Sequence, residues 1–313
     1  MSLVVVGSVA LDSLETPFGR REDVLGGSAS YFSTAASFFG PAGVVAVVGE
    51  DFPADHLNFL TSRGIDLEGL ARRPGRTFRW KGRYEFDLNV AHTLDTQLNV
   101  FAEFAPQLPD SYRDSEYVFL GNIDPDLQRN VLDQVRRPRL VGLDTMNYWI
   151  TGKRESLLRT LKRVDMVFVN DAEARQLAGE HNIVKAAAAI QSMGPRAVVV
   201  KRGEYGALFF SGGEVFASSA VPLASVFDPT GAGDSFAGGF MGYLAGSPRQ
   251  DHAAMRRAIV LGSVLASFVV EQFSLDRLRT LTPGEIRARY AEVRRLAHFD
   301  DLEPEVLRGT TAS

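Results

Sequence analysis

The stretch of sequence that decides the fold runs from Phe227 to Phe240 and reads FDPTGAGDSFAGGF. From Asp234 onward apolar residues recur at helical spacing, so Gly231, Ala232 and Gly233 form a glycine-rich turn at a helix N-terminus. Unpaired N–H groups and the positive end of the helix dipole favour an anion there. The same dipole keeps the Asp234 carboxylate ionised, as a proton acceptor must be. The stretch therefore predicts a phosphate cradle beside a base, unless Gly-x-Gly-Asp merely starts a tightly packed helix capped by Asp234.

The composition excludes several classes of protein. The 313 residues include no cysteine, which removes disulfide scaffolds and thiol nucleophiles, and the five histidines lack zinc-ligand spacing. The formal net charge of −4 argues against a nucleic-acid partner. The longest uncharged apolar stretch, Ile259–Val270, is too short to span a membrane, and no positive segment precedes the apolar start of the chain. We expect a cytoplasmic protein without nucleic-acid or membrane partners.

Short apolar runs alternate with helical patterns along most of the chain, as in a parallel sheet buried on both faces. The predicted strands are Val4–Val6, Val44–Val48, Tyr117–Leu120, Leu140–Leu143, Met166–Val169 and Ala197–Lys201. The clearest predicted helices are Ser28–Phe39, Ala54–Arg63, Pro125–Arg136, Ser156–Arg163 and Asp171–Leu177. This alternation predicts an α/β fold with a doubly wound, mostly parallel sheet flanked by helices.

Two segments interrupt the alternation. Leu14–Val24 is polar, and Arg76–Glu85 alternates polar with aromatic residues, which is typical of a half-exposed strand. We expect one domain, residues 1–313, with a small β-strand lid formed by inserted segments at about 12–25 and 76–104. The alternative is an ordinary surface hairpin. Lid strands are also where two chains would pair in a homodimer. A charged helix, Pro283–Leu296, ends the chain before a frayed polar tail.

The string D-P-T-G-A-G-D-S-F-x-G-G-F resembles the second signature of the ribokinase (PfkB) family, whose members phosphorylate sugars, nucleosides and related small alcohols. The first signature of that family is matched by Gly26-Gly27 and the following residues to Phe39-Gly40. The resemblance implies a ribokinase-like fold with Asp234 as catalytic base and Gly231 to Gly233 as anion hole. Pro229 departs from the threonine that many members carry.

The resemblance also implies an acceptor site. Asp12 lies where the family places an acid that binds substrate hydroxyls, and Gly26 and Gly27 bring backbone N–H groups close to the acceptor. Many sugar-specific members carry Asn at the position of Tyr31. A tyrosine offers one hydroxyl and a stacking face, which favours a flatter ligand, or it simply packs in the core.

For the phosphate donor, the resemblance implies ATP with Mg²⁺, and a monovalent cation such as K⁺ as a further activator. Asn170 and Glu173 match the N-x-x-E motif that organises magnesium and its waters, with Asn170 also near the nucleotide. Lys201, Gly203 and Gly206 match the T-x-G-x-x-G nucleotide loop, with Lys201 in place of the usual threonine. Lys201 pairs with a nucleotide phosphate, or it is a solvated strand end.

These observations together predict an ATP-dependent kinase that transfers the γ-phosphate to a hydroxyl of a sugar or related carbohydrate, with Asp234 as base. One alternative keeps the mechanism and changes the acceptor to a nucleoside of the adenosine, inosine, guanosine or cytidine type. The other is a catalytically silent ligand sensor on the same scaffold. A sensor has no need of Asp234 or of the N-x-x-E motif, which argues against it.

Overall fold

The computed structural model describes residues 2–302, which form two sheets surrounded by helices. In chain order the strands are β1 (Leu3–Val6), β2 (Ala10–Thr16), β3 (Gly19–Gly26), β4 (Ala42–Gly49), β5 (Ile65–Arg73), β6 (Arg79–Tyr84), β7 (Ala91–Gln97), β8 (Tyr117–Leu120), β9 (Leu140–Asp144), β10 (Met166–Asn170), β11 (Ala197–Lys201), β12 (Ala207–Ser211) and β13 (Glu214–Ser218). The helices are α1 (Ser28–Ala36), α2 (Ala54–Ser62), α3 (Pro125–Gln134), α4 (Asn147–Gly152), α5 (Arg154–Leu161), α6 (Asp171–Ala178), α7 (Ile183–Ser192), α8 (Ala232–Gly246), α9 (His252–Val269), α10 (Asp276–Thr280) and α11 (Pro283–Leu296).

The larger sheet has nine strands in the order β13-β12-β11-β10-β9-β8-β1-β4-β5. Neighbours from β11 to β5 pair in parallel, whereas β12 and β13 add an antiparallel edge. The doubly wound α/β prediction is therefore confirmed, and all six predicted strands lie in this sheet. The missed strands include both edges, β5 and β13, whose partly exposed side chains give no continuous apolar run.

Side chains alternate across this sheet and build one core on each face. Val5 packs into the core that contains α1, α8 and α9, whereas Val4 and Val6 pack into the core beneath α3, α5, α6 and α7. Because both faces are covered, the carboxyl ends of the parallel strands form the open edge of the sheet, where ligands bind in such folds.

The smaller sheet, which we call the lid, has the strand order β3-β2-β6-β7. Strands β2 and β6 pair in parallel, and the other neighbours are antiparallel. The two segments that interrupt the α/β alternation thus form this sheet, and the predicted lid is confirmed. Every residue of β7 is exposed, so its sequence has no apolar periodicity to reveal it. The predicted helix Pro283–Leu296 is present, but residues 303–313 of the predicted frayed tail lie outside the described range.

Helix α8 packs closely against α1 on one side and α9 on the other, and glycines make this possible. A Cβ on Gly238 would overlap the carbonyl oxygen of Phe32 in α1. A Cβ on Gly262 in α9 would lie 2.8 Å from the carbonyl oxygen of Phe236. Helix α9 is long and apolar enough to cross a membrane by length and composition, yet 61% of it is buried inside the protein.

This packing predicts that Gly238→Ala destabilises the protein by about 1–3 kcal/mol, because the new methyl group must push α1 away from α8. The matched control is Gly152→Ala at the end of α4, where a Cβ meets nothing within 4 Å. The control is expected to be neutral or to stabilise by up to about 1 kcal/mol. Urea unfolding measures both variants, and equal free energies of unfolding would contradict the packing argument.

Candidate active site

Two neighbouring strand ends place a buried ion pair at the open edge of the larger sheet. Lys201 ends β11 and Asp144 ends β9, on either side of β10. The Nζ atom of Lys201 lies 2.7 Å from Oδ2 of Asp144, and both side chains are largely buried. Burial disfavours the ammonium, but Asp144 and Glu173 outweigh it and raise the pKa of Lys201, so this side chain is charged. The alternative prediction of a solvated strand end is therefore wrong.

The N-terminus of α8 faces this ion pair. Gly231 caps the helix in the left-handed conformation, with φ of 75°, and Ala232 begins the helix. The Nζ atom of Lys201 lies 3.0 Å from where a Cβ of Gly233 would be. The predicted anion hole therefore carries a positive side chain beside the first helical turn, where the Ala232 N–H donates to the Pro229 carbonyl oxygen at 3.2 Å.

Asp234 lies in the first turn of α8, as the sequence predicts. Burial and the neighbouring Asp144 raise the pKa of Asp234 from 3.8 to about 7, against the opposing charge of Lys201. The Glu173 carboxylate acts in the same direction as Asp144. A carboxylate with a pKa close to neutral is well matched to general-base catalysis.

Asn170 and Glu173 form a reciprocal capping box at the start of α6. The Asn170 side chain accepts from the Glu173 N–H, and Glu173 Oε2 accepts from the Asn170 N–H, both at 2.8 Å. Burial and Asp144 raise the pKa of Glu173 to about 7. Within residues 2–302, no three His, Cys, Asp or Glu side chains converge as a metal cage. The raised pKa values show that these carboxylates resist ionisation. A hydrated Mg²⁺ bound beside them would supply the positive charge that favours their ionised forms.

The predicted nucleotide loop follows β11 as a short 3₁₀ turn with positive φ at Gly203 and Gly206. A Cβ on Gly206 would overlap the carbonyl oxygen of Ser218, so this glycine is required by packing. A Cβ on Gly203 would overlap the side-chain oxygen of Asn89, which belongs to the loop between β6 and β7 of the lid. The loop thus lies at the same sheet edge as Lys201, beneath the tip of the lid.

The predicted acceptor residues form a second buried group. Asp12, in β2, lies so close to Gly26 that a Cβ there would overlap its carboxylate. Burial and the charge of Asp228 raise the pKa of Asp12 to about 8, although the Gly27 N–H opposes this. The charge of Asp234 also contributes, so the two carboxyl groups lie within electrostatic range of each other. The structure therefore brings the predicted acceptor residues next to the predicted base.

Tyr31 packs against the glycine turn and lies near the carboxyl groups of Asp12 and Asp228. Its buried ring covers Gly231, where a Cβ would overlap it. Its hydroxyl makes no well-formed hydrogen bond within the described residues, although Ser274 lies nearby. The alternative that Tyr31 packs in the core is therefore correct for this side chain.

Sequence reasoning missed three residues of this region. Asp144 is the last residue of the apolar run LVGLD. It ends a buried strand just as Asn170 does, so the sequence carried the same strand-end signal for both residues. Asp228 lies inside the quoted motif; it accepts from the N–H groups of Thr230, at 2.9 Å, and Ser274, at 2.8 Å. Tyr84 lies in the aromatic lid segment, and no local pattern indicates that its hydroxyl contacts Thr230 Oγ1, at 3.2 Å.

Comparison with known proteins gives the site its context. Residues 5–279 match the family model of the pfkB family carbohydrate kinases. A cytidine kinase of Thermococcus kodakarensis is 33% identical over 256 residues, which cover 80% of this chain and 91% of that protein.

Two solved structures share the fold. The nucleoside kinase of Methanocaldococcus jannaschii, an archaeal member of the ribokinase family, has a TM-score of 0.74 and 20% identity over 93% of this chain and 99% of that one. A putative ribokinase II of E. coli, in complex with ATP and Mg²⁺, has a TM-score of 0.75 and 19% identity over the same shares. With a family model that spans most of the described residues, this chain belongs to the pfkB family of carbohydrate and nucleoside kinases, phosphotransferases with an alcohol group as acceptor.

Proposed function

We propose that this protein is a nucleoside kinase that transfers the γ-phosphate of ATP to a hydroxyl group of a neutral nucleoside. The observation that carries the proposal is the position of Asp234 in the first turn of α8, beside the glycine turn and within electrostatic range of the buried Asp12. A base beside an anion hole on one side and a hydroxyl-binding acid on the other is what phosphoryl transfer to an alcohol requires.

In this mechanism Asp234 accepts the proton of the acceptor hydroxyl as its oxygen attacks the γ-phosphorus. The N–H groups of Gly231, Ala232 and Gly233 hold the negative charge of the transferring group. Lys201 binds the same group through its ammonium, which already lies against Gly233. The bond to the β-phosphate breaks, and ADP leaves with the electron pair.

ATP would be bound by Gly203, Gly206 and Asn170 along the sheet edge, with Lys201 at its phosphates. Mg²⁺ would be held by Asn170 and Glu173 through water, and it would neutralise phosphate charge when bound. The use of ATP with Mg²⁺ by this family, and the structural neighbour that contains both, support this arrangement. Dependence on K⁺ and a homodimer through the lid stay predictions.

The charges around the acceptor group favour a neutral acceptor. The charged groups that act on Asp12 are the carboxylates of Asp228 and Asp234, and burial disfavours the ionised form of Asp12 itself. A sugar acid would add a further negative charge to this poorly hydrated group, whereas Asp12 with Gly26 and Gly27 offers hydrogen bonds to hydroxyls. The likeness to a cytidine kinase, which is 33% identical over most of both chains, favours a nucleoside. A neutral sugar is the second candidate, because the family model is that of carbohydrate kinases.

An acceptor screen tests the proposal. ADP release is measured with cytidine, adenosine, inosine, guanosine, ribose, fructose and gluconate under identical conditions with MgATP. We expect kcat/KM for at least one nucleoside to exceed that for every sugar by about tenfold or more, because the base of a nucleoside adds binding contacts that a free sugar lacks. A sugar as the best acceptor would contradict the nucleoside assignment, and turnover of gluconate would contradict the charge argument.

Replacing Asp234 by Asn is expected to lower kcat by at least about 10²–10⁴-fold, with ATP binding retained.

The same change should raise the melting temperature by about 2–4 °C or more at pH 8, because it removes a buried carboxylate whose ionised form is disfavoured. This gain should shrink as the pH falls from about 7 towards 4 and should be absent below pH 4, where the carboxyl group is protonated in folded and unfolded chains alike. Asp55→Asn, an exposed first-turn acid of α2, is the control. Near-normal turnover of the Asp234 variant would disprove the base assignment.

The pH dependence of kcat/KM tests the electrostatics. Activity should fall as the pH drops through about 7, because Asp234 must be ionised to accept a proton. Lys201→Met removes the ammonium that lowers the pKa of Asp234, so the acidic limb should move to higher pH. Asp144→Asn removes a charge that raises this pKa, so the limb should move to lower pH. If the acidic limbs of the pH profiles coincide in all three proteins, Lys201 and Asp144 do not set the pKa of Asp234.

A further inference from the structure

Tyr84 is the last residue of β6, and it lies where the lid contacts the loop that precedes α8. Its side chain is buried, although the neighbouring strand β7 is entirely exposed. The Tyr84 hydroxyl lies 3.2 Å from Oγ1 of Thr230, a residue 146 positions further along the chain. Because this bond joins the lid to the loop that precedes α8, it depends on the position of the lid.

Thr230 immediately precedes the left-handed Gly231 that caps α8. Its N–H donates to Asp228 Oδ1 at 2.9 Å, so the backbone of the turn is held from one side. The ring of Tyr31 covers Gly231, and the hydroxyl of Tyr84 holds the Thr230 side chain. The orientation of the Thr230–Gly231 peptide decides where the first free N–H groups of α8 point.

The lid contacts the other active-site loop as well. Asn89, in the loop between β6 and β7, lies directly against Gly203 of the nucleotide loop. The lid in this structure therefore lies over both loops that are proposed to hold ATP, with Tyr84 against one loop and Asn89 against the other.

We propose that Tyr84 is a positioning residue that couples the placement of the lid to the shape of the phosphate cradle at Gly231 to Gly233. When the lid covers the site, the Tyr84–Thr230 hydrogen bond fixes the turn that receives the transferring phosphate. When the lid lifts, the bond breaks and the turn is less ordered. The cradle is therefore complete only in the covered site, which favours transfer to the bound acceptor over water. This inference rests on the proposed function.

Four variants test the coupling by kinetics. Tyr84→Phe and Thr230→Val each remove one hydroxyl, and each should lower kcat by about tenfold, with KM for ATP changed by less than about twofold. The double variant should be no slower than the slower single variant, because both remove the same bond. Thr230→Ser keeps the hydroxyl and should retain the wild-type rate. Additive losses, or a normal rate for Tyr84→Phe with the acceptor chosen by the screen, would overturn the proposal.

The matched control is Tyr112→Phe. The Tyr112 hydroxyl is also hydrogen-bonded, to Asp66 Oδ1 at 2.7 Å, but its ring packs on Gly43 and Gly69, near the amino-terminal end of β4. This variant should lower the melting temperature and leave kcat unchanged. A similar loss of kcat in the control would mean that the Tyr84 effect is one of general stability.

Hydrogen–deuterium exchange separates this inference from the proposed function, because it needs no turnover. Tyr84→Phe should speed amide exchange in residues 229–235, and Thr230→Val should speed exchange in residues 79–84, since coupling between two sites is reciprocal. If the wild-type protein phosphorylates no acceptor, the proposed function fails while this test still decides the coupling. Unchanged exchange in both segments would overturn the coupling even in an active kinase.

Discussion

The site depends on one buried ion pair, between Lys201 and Asp144 at the ends of two parallel strands. Asp144, Glu173 and Asp234 would repel one another in a region that is poorly hydrated, and Lys201 is the cation that balances them. Because the ammonium also lies against the first turn of α8, it adds to the positive potential of the helix N-terminus. The same contact keeps Asp234 close to the boundary between its protonated and ionised forms, where a base exchanges protons readily.

The fold supplies this arrangement through ordinary rules of parallel sheets. Strand ends meet at one edge, so residues from β9, β10 and β11 come together although they are far apart in sequence. Close packing at Gly238 and Gly262 sets α8 against α1 and α9, and thereby fixes the glycine turn opposite Lys201. The lid then adds Tyr84 from the smaller sheet, which contacts Thr230 in the loop before α8.

Local patterns were sufficient to predict the central strands, the flanking helices and the glycine turn, because buried strands and helix starts have characteristic short-range signals. The edge strands β5 and β13 and the exposed strand β7 carry no such signal, since partly hydrated side chains need not be apolar. Lys201 was recognised by its place in a motif, but its pairing with Asp144 depends on the order of strands in the sheet. Tyr84 could not be found from sequence because its partner Thr230 lies on another element, and no periodicity encodes such a contact.

The central claim is that burial and Asp144 raise the pKa of Asp234 while Lys201 limits the rise. The direct measurement is an NMR titration of the Asp234 side-chain carboxyl group in the ligand-free protein, assigned by comparison with Asp234→Asn. The account predicts a carboxyl group that titrates close to pH 7 in the wild-type protein and at higher pH in Lys201→Met. A carboxyl group that titrates near pH 4 in both proteins, as in an exposed aspartate, would contradict it.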